Sequence, residues 1–461
     1  MDIKEGASLH FMGIGGVSMS TLALYMQGWG YNVSGCDQSE SNVLVMLRAH
    51  GIPSRTGHDA SHLEGVDALI YNAAIDEENP EYIAALERGI PMLSRGTLLG
   101  DVMARYPKVA CISGTHGKTT TSGMLAYIME TEGFRPTIHL GGVLPLIGAA
   151  GKMGGKDLLV AEACEYRDSF LEMRPTHSVI LNIRPDHLDY FGTLDRIQES
   201  FARYAASHPA DGYILGYGED QRVQEVLENA PCHTETYGRT PDCDWQAVDI
   251  REEKGFYAFS VYHDGARVAV LQLGIPGAHN VLNALAAFVM AVKLGAEPAA
   301  IAGRIAAFSG MKRRMERVGI IGEVPVYHDY AHHPDEVTAT LAMARKMASG
   351  RIWCIFQPHT YSRTKLLFED WLNAFGDADR LYITGIYAAR EADPGDISSQ
   401  VLAEALQTRG IDALYVDSFP VCTEKVRAGV QVGDLVITLG AGTIDRINGM
   451  LTDTPSYSDG K

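Results

Sequence analysis

The segment 114–121, with the sequence GTHGKTTT, has the residue types and spacing of a phosphate-binding loop. It follows an apolar run at 109–113 that is typical of a buried strand, and apolar residues at helical spacing come after it. A glycine turn between a strand and a helix N-terminus lets backbone N–H groups converge on one anion. Lys118 would add a positive charge, and the Thr119 hydroxyl could bind Mg²⁺. The loop is shorter than the common pattern, because Ile112 stands at the position of the outer glycine; an ordinary glycine-rich turn is the alternative interpretation.

Two acidic segments also follow apolar, strand-like runs. Glu162 follows the run 158–161, and His187, between two aspartates, follows the run 178–183. Because ligands gather beyond the carboxyl ends of parallel strands, we expect both segments on the same edge of the sheet as Lys118. Carboxylates and a neutral imidazole there could share Mg²⁺ ions with triphosphate oxygens. An exposed strand end and a structural histidine are the alternative interpretations.

A second glycine-rich turn lies near the N-terminus. The strand-like run 8–12 leads into GIGG at 13–16, and a second strand ends at Asp37. This spacing is similar to the dinucleotide-binding fingerprint, but Ser18 stands where the third glycine is expected. The turn would serve either tight helix–strand packing or the diphosphate of a nucleotide-linked substrate, with Asp37 and Ser39 near the nucleoside.

Composition limits the possible classes of protein. A chain of 461 residues with 46% hydrophobic content is long enough for about three domains. A formal net charge of −18 disfavours a non-specific nucleic-acid binder, which needs a basic face. The seven cysteines form no Cys-x-x-Cys pair, which favours a reducing cytoplasm. We find no signal-peptide core and no apolar run long enough to cross a membrane, so we predict a soluble cytoplasmic protein.

Alternating strand-like and helix-like segments predict an α/β protein with three domains. Changes in composition near 105–108 and 308–316 place the boundaries. We predict a Rossmann-like N-terminal domain over 1–107, a central P-loop ATPase-type parallel-sheet domain over 108–312, and a C-terminal Rossmann-like α/β domain over 313–461. Alternating apolar and polar residues over 242–273 predict an antiparallel hairpin region within the central domain.

The C-terminal segment has no phosphate loop of its own. Polar residues at 329–334, 357–363 and 440–442 follow predicted strands, which indicates a second half-site on one sheet edge. Helices are predicted over 335–347 and 365–375, and a frayed tail after residue 452. Chemistry that needs ATP and two other reactants is usually activation and transfer, in which a carboxylate is phosphorylated and an amine then attacks the acyl phosphate.

Taken together, these motifs resemble the Mur ligase family over essentially the whole chain. The resemblance rests on segments 13–16, 114–121, 162–170, 182–190, 279–280, 313–314, 329–334 and 357–364. It implies an ATP-dependent ligase that joins L-alanine to the lactyl carboxylate of UDP-N-acetylmuramate in bacterial peptidoglycan precursor synthesis. The implied cofactors are ATP and Mg²⁺, and the implied partners are these two small molecules. We expect no nucleic acid or membrane partner and a monomer or homodimer.

The resemblance also implies roles for individual residues. The implied ATP-binding residues are Gly114, Thr115, His116, Gly117, Lys118, Thr119, Thr120, Asn280, Arg314 and Asp329. The implied metal ligands are Thr119, Glu162 and His187, and the catalytic residues are Lys118, His187, Glu162 and Arg314. The predicted substrate-binding residues are Gly15, Gly16, Val17, Ser18, Asp37, Ser39, His332, His359 and Arg363, of which the last three would line the amino-acid site.

Some of these expectations have alternatives. Asn280 stands at a predicted helix start, where it could serve only as a cap. Cys164 stands where the family often has an aspartate, and Thr360 where it often has a second arginine, so Arg363 would carry more of the carboxylate recognition. We also expect Lys118 to be exposed on its loop.

Other functions remain open. A sister enzyme that attaches a whole peptide to the same sugar nucleotide would share most motifs and differ in the C-terminal pocket. A folate polyglutamate ligase would not need the first glycine-rich domain. A non-catalytic nucleotide-binding regulator is disfavoured by the intact Lys118, Thr119, Glu162 and His187. A classical dehydrogenase is disfavoured by Ser18 and by the separate phosphate loop.

Overall fold

The structure is a computed structural model of the chain, and it describes residues 4–72, 75–389 and 391–452, without the side chain of Asp189. The Asp189 side chain is one of the two carboxylates expected beside His187, and it lies outside the described residues. The tail predicted after residue 452 lies outside them as well. The chain divides into two compact units. The first contains Met1–Ile250, Ala258–Leu273 and His279–Phe308, and the second contains Arg251–Tyr257, Gly274–Ala278 and Ser309–Lys461. No helix in the described ranges combines the length and apolar character needed to cross a bilayer.

The first sheet is parallel, with the strand order β3-β2-β1-β4-β5. Its strands are β1 Ser8–Met12, β2 Asn32–Asp37, β3 Ser54–Thr56, β4 Ala68–Tyr71 and β5 Met92–Ser94. Its helices are α1 Val17–Gly28, α2 Asn42–Ala49, α3 Pro80–Arg88 and α4 Arg95–Met103, with a 3₁₀ helix at Ala60–Leu63. The strand before the glycine-rich turn at 13–16 is confirmed as β1, and the helix α1 follows that turn.

The second sheet has ten strands in the order β15-β14-β13-β12-β11-β10-β6-β9-β7-β8. Its strands are β6 Lys108–Ser113, β7 Thr137–Leu144, β8 Ala149–Lys152, β9 Leu158–Glu162, β10 His177–Ile180, β11 Tyr213–Tyr217, β12 His233–Gly238, β13 Trp245–Glu253, β14 Phe256–His263 and β15 Ala266–Gln272. Its helices are α5 Lys118–Thr131, α6 Leu188–Phe191, α7 Leu194–Ala206, α8 Gln221–Glu228, α9 His279–Leu294 and α10 Pro298–Ala307, with a 3₁₀ segment at Tyr166–Glu172. The predicted hairpin is confirmed, because β14 and β15 pair antiparallel.

The strand order brings the predicted chemical segments together. Strand β6 lies between β10 and β9 and pairs with both in parallel. The phosphate loop, Glu162 and the segment that leads to His187 therefore all leave the sheet at one edge, as predicted. A single cluster of buried apolar side chains extends from the first sheet to the second within this unit, and the Tyr25 hydroxyl donates to the Ile138 carbonyl across it.

The third sheet has the order β16-β17-β21-β18-β19-β20, in which only β16 pairs antiparallel. Its strands are β16 Glu316–Ile321, β17 Val324–Asp329, β18 Ile352–Phe356, β19 Arg380–Ile383, β20 Ala413–Tyr415 and β21 Leu435–Leu439. Its helices are α11 Pro334–Met347, α12 Tyr361–Leu366, α13 Phe368–Trp371, α14 Ser399–Thr408, α15 Phe419–Gly429 and α16 Asn448–Leu451, with a 3₁₀ helix at Ile444–Ile447.

One helix prediction in this unit is wrong. The segment 365–375 is not one helix, because α12 and α13 are separated by Leu367 at φ −100° and ψ 23°. Leu366 is exposed, whereas Trp371 and Phe375 are buried in the core. The break at Leu367 lets the chain turn these rings inward, which helical spacing alone does not reveal.

Candidate functional site

The phosphate loop connects β6 to α5 through two glycines with positive φ. Gly114 has φ 132°, and Gly117, at φ 88°, immediately precedes the helix. A Cβ at Gly117 would lie 2.7 Å from Asn283 Oδ1, so any larger residue would be strained and would clash. The glycines let the loop pack against α9 and leave the first N–H groups of α5 available for an anion.

Lys118 is held inside this loop. Its Nζ donates to the Gly114 carbonyl at 2.6 Å, to the Thr115 carbonyl at 3.0 Å and to Glu165 Oε2 at 2.9 Å. The Lys118 side chain is 12% exposed, so the prediction of an exposed lysine is wrong; the cause is its ion pair with the buried Glu165. Burial lowers the pKa of Lys118, but Glu165 and other nearby acidic groups offset this and hold that pKa above its usual value. The lysine is therefore positively charged.

Thr119 and Glu162 form a pair of oxygen ligands beside the loop. The Thr119 hydroxyl donates to Glu162 Oε2 at 2.9 Å, and the same oxygen accepts from the Gly141 N–H at 3.0 Å. A hydroxyl and a carboxylate next to a phosphate-binding loop are the hard ligands that Mg²⁺ prefers. These two residues therefore fit a Mg²⁺ ion shared with phosphate oxygens.

His187 belongs to a different cluster from Glu162. One ligand atom each from Glu165, Asp186 and His187 lies within 4.8 Å of the others. His187 has φ 49°, and its ring centre lies 4.6 Å from that of Tyr166. The predicted metal ligands thus lie at two candidate cation positions, one with Thr119 and Glu162 and one with His187. Sequence reasoning did not select Glu165, although its place three residues after Glu162 at a strand end was a usable signal.

Asn280 lies inside the first turn of α9, where it is buried. Its Oδ1 accepts from Asn283 Nδ2 at 2.9 Å, and Asn283 in turn lies against Gly117. The capping interpretation is therefore wrong, because the helix begins before Asn280. The asparagine pair places amide groups behind the phosphate loop, and only Asn280 was predicted.

The N-terminal turn is held by its own acidic residue. Asp37 Oδ2 accepts from the Gly15 N–H at 2.9 Å, and a Cβ at Gly15 would lie 2.8 Å from that oxygen. Ser18 Oγ pairs with His139 Nε2 at 2.8 Å and accepts from Arg95 Nη1 at 3.2 Å. Burial lowers the pKa of His139 to about 3, so its ring is neutral. The other predicted members here are Gly16, which precedes α1, and the exposed Val17 and Ser39.

In the second unit, the three residues predicted for the amino-acid site lie together. The rings of His332 and His359 are 5.7 Å apart, and Arg363 Nη1 donates to His359 Nδ1 at 3.0 Å. Burial lowers the pKa of both histidines, and the Arg363 charge adds to this effect, so neutral His359 can accept that bond. Thr360, at φ 64°, precedes α12 and accepts from the Arg363 N–H at 3.4 Å. The Arg363 guanidinium, with the neutral rings of His332 and His359 beside it, is suited to bind a carboxylate.

Asp329 and Arg314 are the other predicted residues of this unit. The two oxygens of Asp329 accept from the N–H groups of Met315 at 2.7 Å and Ala331 at 2.8 Å. Burial raises the pKa of Asp329. The Arg314 guanidinium lies 5.8 Å from the Tyr330 ring centre. Asp329 thus braces the chain around Arg314, and the ATP contacts expected of both residues stay predictions.

Comparison with known proteins places these segments in a family. Three family descriptions match the chain: "Mur ligase family, catalytic domain" over residues 8–107, "Mur ligase middle domain" over 112–291, and "Mur ligase, glutamate ligase domain" over 313–442.

Similar proteins match over nearly their whole length. A UDP-N-acetylmuramate–L-alanine ligase of Acetivibrio thermocellus is 42% identical, over 98% of this chain and 96% of its own. One of Caldanaerobacter subterraneus is 41% identical, over 96% and 97%. The crystal structure of a UDP-N-acetylmuramate–alanine ligase from Thermotoga maritima is 26% identical with a TM-score of 0.81, covering 96% of this chain and 98% of that one.

Proposed function

The chain belongs to the Mur ligase family, and we propose that it joins L-alanine to the lactyl carboxylate of UDP-N-acetylmuramate at the expense of ATP, in peptidoglycan precursor synthesis. The observation that carries the proposal is the near full-length identity of about 40% to ligases of that name, together with an intact phosphate loop. We also propose the three domains predicted from the sequence, over residues 1–107, 108–312 and 313–461. Each of the seven cysteines lies in the described ranges with a free thiol, which supports a reducing cytoplasm.

The residues of the first unit would hold and activate ATP. The N–H groups at the start of α5 and the Lys118 ammonium would neutralise the phosphate oxygens. Thr119 and Glu162 would bind one Mg²⁺, and the cluster that contains His187 would bind a second. When bound, the magnesium nucleotide supplies the phosphoryl group that makes the carboxylate reactive.

The proposed reaction passes through an acyl phosphate. A lactyl carboxylate oxygen forms a bond to the γ-phosphorus as ADP leaves. The amino nitrogen of L-alanine then forms the amide bond as phosphate leaves with that oxygen. In the second unit, Arg363 would hold the alanine carboxylate with its planar pair of donors.

Oxygen labelling tests the function and the route together. We expect UDP-N-acetylmuramate labelled with ¹⁸O in its lactyl carboxylate to give, with ATP and L-alanine, one labelled oxygen in each phosphate released. Omission of L-alanine should abolish turnover to the amide product. Amide formation with unlabelled phosphate would exclude the acyl phosphate, and the absence of amide product would exclude the proposed function.

A further inference from the structure

Four potential metal ligands meet on one face of the first sheet, well separated in sequence. They are His10 on β1, Cys36 on β2, His62 in the 3₁₀ helix Ala60–Leu63 and Glu81 on α3. One ligand atom of each lies within 4.8 Å of every other. The pairing of β1 with β2 explains why His10 and Cys36 come together. His10 lies opposite Ser34, and Cys36, two residues after Ser34, points to the same face of the sheet.

The separations approach those of a tetrahedral metal site. Glu81 Oε2 lies 2.9 Å from Cys36 Sγ and 3.6 Å from His10 Nε2, and Glu81 Oε1 lies 2.6 Å from His62 Nδ1. Zinc bonds of about 2.0–2.3 Å place neighbouring tetrahedral ligands roughly 3.3–3.8 Å apart. The four atoms therefore need to move by only a fraction of an ångström to about one ångström to surround an ion.

His10 provides an independent sign of a missing partner. Its side chain is 2% exposed, and among the described residues its Nε2 has no partner at hydrogen-bond distance, with Glu81 Oε2 at the longer ion-pair separation of 3.6 Å. Its other nitrogen, Nδ1, pairs with Ser34 Oγ at 2.9 Å. An imidazole held by one nitrogen, with the other buried and unsatisfied among ligands, is typical of a metal-binding histidine.

Charge in the cluster also favours a cation. Glu81 is fully buried, and its partners are the Cys36 thiol, His62, the Asp59 N–H at 3.1 Å and His58 Nδ1 at 3.4 Å. His58 Nδ1 also lies 3.2 Å from Cys36 Sγ, at the edge of the cluster. Its ion-pair partners are the histidines His10, His58 and His62, and no lysine or arginine within the described residues joins them. A divalent ion would pair with this carboxylate and release one proton from the thiol.

We propose that His10, Cys36, His62 and Glu81 bind a Zn²⁺-type divalent cation that clips β1 and β2 to the 3₁₀ helix and α3. Imidazole and thiolate ligands select Zn²⁺ or Co²⁺ over Mg²⁺, so this site differs in chemistry from the oxygen-rich positions near Lys118. The inference does not depend on the proposed ligase function. A surface cavity of about 490 Å³ is lined by His62, one of the four ligands, and by Ser34, the partner of His10 Nδ1.

Metal titration of the full chain tests this site. In the presence of saturating Mg²⁺, we expect the wild-type protein to bind one equivalent of Zn²⁺ against a colorimetric chelator, and Co²⁺ to give thiolate charge-transfer absorption. Cys36→Ser should remove that absorption and weaken Zn²⁺ binding by about tenfold or more. His10→Gln should weaken Zn²⁺ binding similarly while keeping the thiolate band.

Matched controls separate this cluster from the other thiols and from the second acidic cluster. His187→Ala removes a ligand of the Glu165 cluster, and Cys422→Ser removes a buried thiol of the second unit. Both variants should bind Zn²⁺ and Co²⁺ as the wild type does. Zn²⁺ should also raise the unfolding temperature of the wild type and not of the His10 variant.

Three results would overturn the proposal. The first is wild-type protein without stoichiometric Zn²⁺ binding or without the charge-transfer band, a result that no folding defect of a variant can explain. The second is unchanged binding in both the Cys36 and His10 variants. The third is loss of the band in the His187 or Cys422 variant.

Discussion

At the scale of single residues, Lys118 and Glu165 form the charged centre of the phosphate loop. The lysine ammonium is shared among two loop carbonyls and one carboxylate, all within 3.1 Å. The attraction between opposite charges is stronger in such a partly buried position than on the surface, because the local dielectric constant is lower. A bound phosphate would therefore compete with Glu165 for a lysine that is already in position.

Lys118→Ala should lower kcat by roughly 100-fold or more, because no other residue of the loop brings a positive charge to the phosphoryl group. Steady-state phosphate release measures this effect. The control is Lys108→Ala, which removes a lysine at the start of β6 away from the loop. Near-normal turnover by a folded Lys118→Ala protein would contradict the assignment.

Arg363→Lys should raise the KM for L-alanine strongly and leave the KM values for ATP and UDP-N-acetylmuramate little changed. Lysine keeps the charge but loses the planar pair of donors, one of which now contacts His359. Titration of each substrate in turn measures the three constants, and Arg409→Lys is an exposed control in the same unit. An equal rise in all three values, or in none, would show that Arg363 does not select the amine.

At the scale of elements, the parallel strands β10, β6 and β9 gather the cation ligands at one edge of the sheet. Each strand contributes a loop beyond its carboxyl end, so the two candidate cation positions depend on the register of three strands. His187 lies in a short connection before α6 with its side chain partly exposed, so it can be replaced without opening the core.

His187→Ala should raise the Mg²⁺ concentration needed for half-maximal activity, and excess Mg²⁺ should restore part of the rate. The reason is the loss of one ligand from the cluster that includes Glu165 and Asp186. Activity measured against Mg²⁺ at saturating substrates gives this constant. If the Mg²⁺ dependence matches that of the wild type, His187 has only a structural role.

The junction of α7 and β10 gives a pH prediction. His208 follows α7 and pairs with Ser178 of β10 at 2.8 Å, and burial lowers its pKa to about 4. Because the unfolded ring titrates near 6.5, the stability that neutral His208 contributes is complete above that pH and is lost as pH falls toward 4, by up to about 1.4 kcal/mol per pH unit.

We therefore expect the difference in free energy of unfolding between wild type and His208→Gln to be larger at pH 7.5 than at pH 5. Urea unfolding at both pH values measures this difference, with His50→Gln as an exposed control. A difference that is constant with pH would show that His208 titrates normally in the folded protein.

At the scale of the whole molecule, three sheets and most of their strands follow from apolar runs separated by glycine turns. The positions of Glu162 and His187 near the phosphate loop were predictable, because the carboxyl ends of parallel strands lie at the same edge of a sheet. Glu165 was within reach of prediction, because it is a carboxylate three residues after Glu162 at a strand end, whereas Asn283 was not, because the interior of a helix carries no short motif. The four residues at 10, 36, 62 and 81 could not be grouped at all, since only the register of β1 with β2 and the packing of α3 brings them together.

Phosphate release with a panel of amines measures whether this chain couples the conversion of ATP to ADP to ligation of L-alanine to UDP-N-acetylmuramate. We predict release that requires both UDP-N-acetylmuramate and an amine, with L-alanine giving a higher kcat/KM than other amino acids or a peptide that contains it. Phosphate release that is independent of UDP-N-acetylmuramate, or that is supported by the peptide and not by L-alanine, would contradict this function.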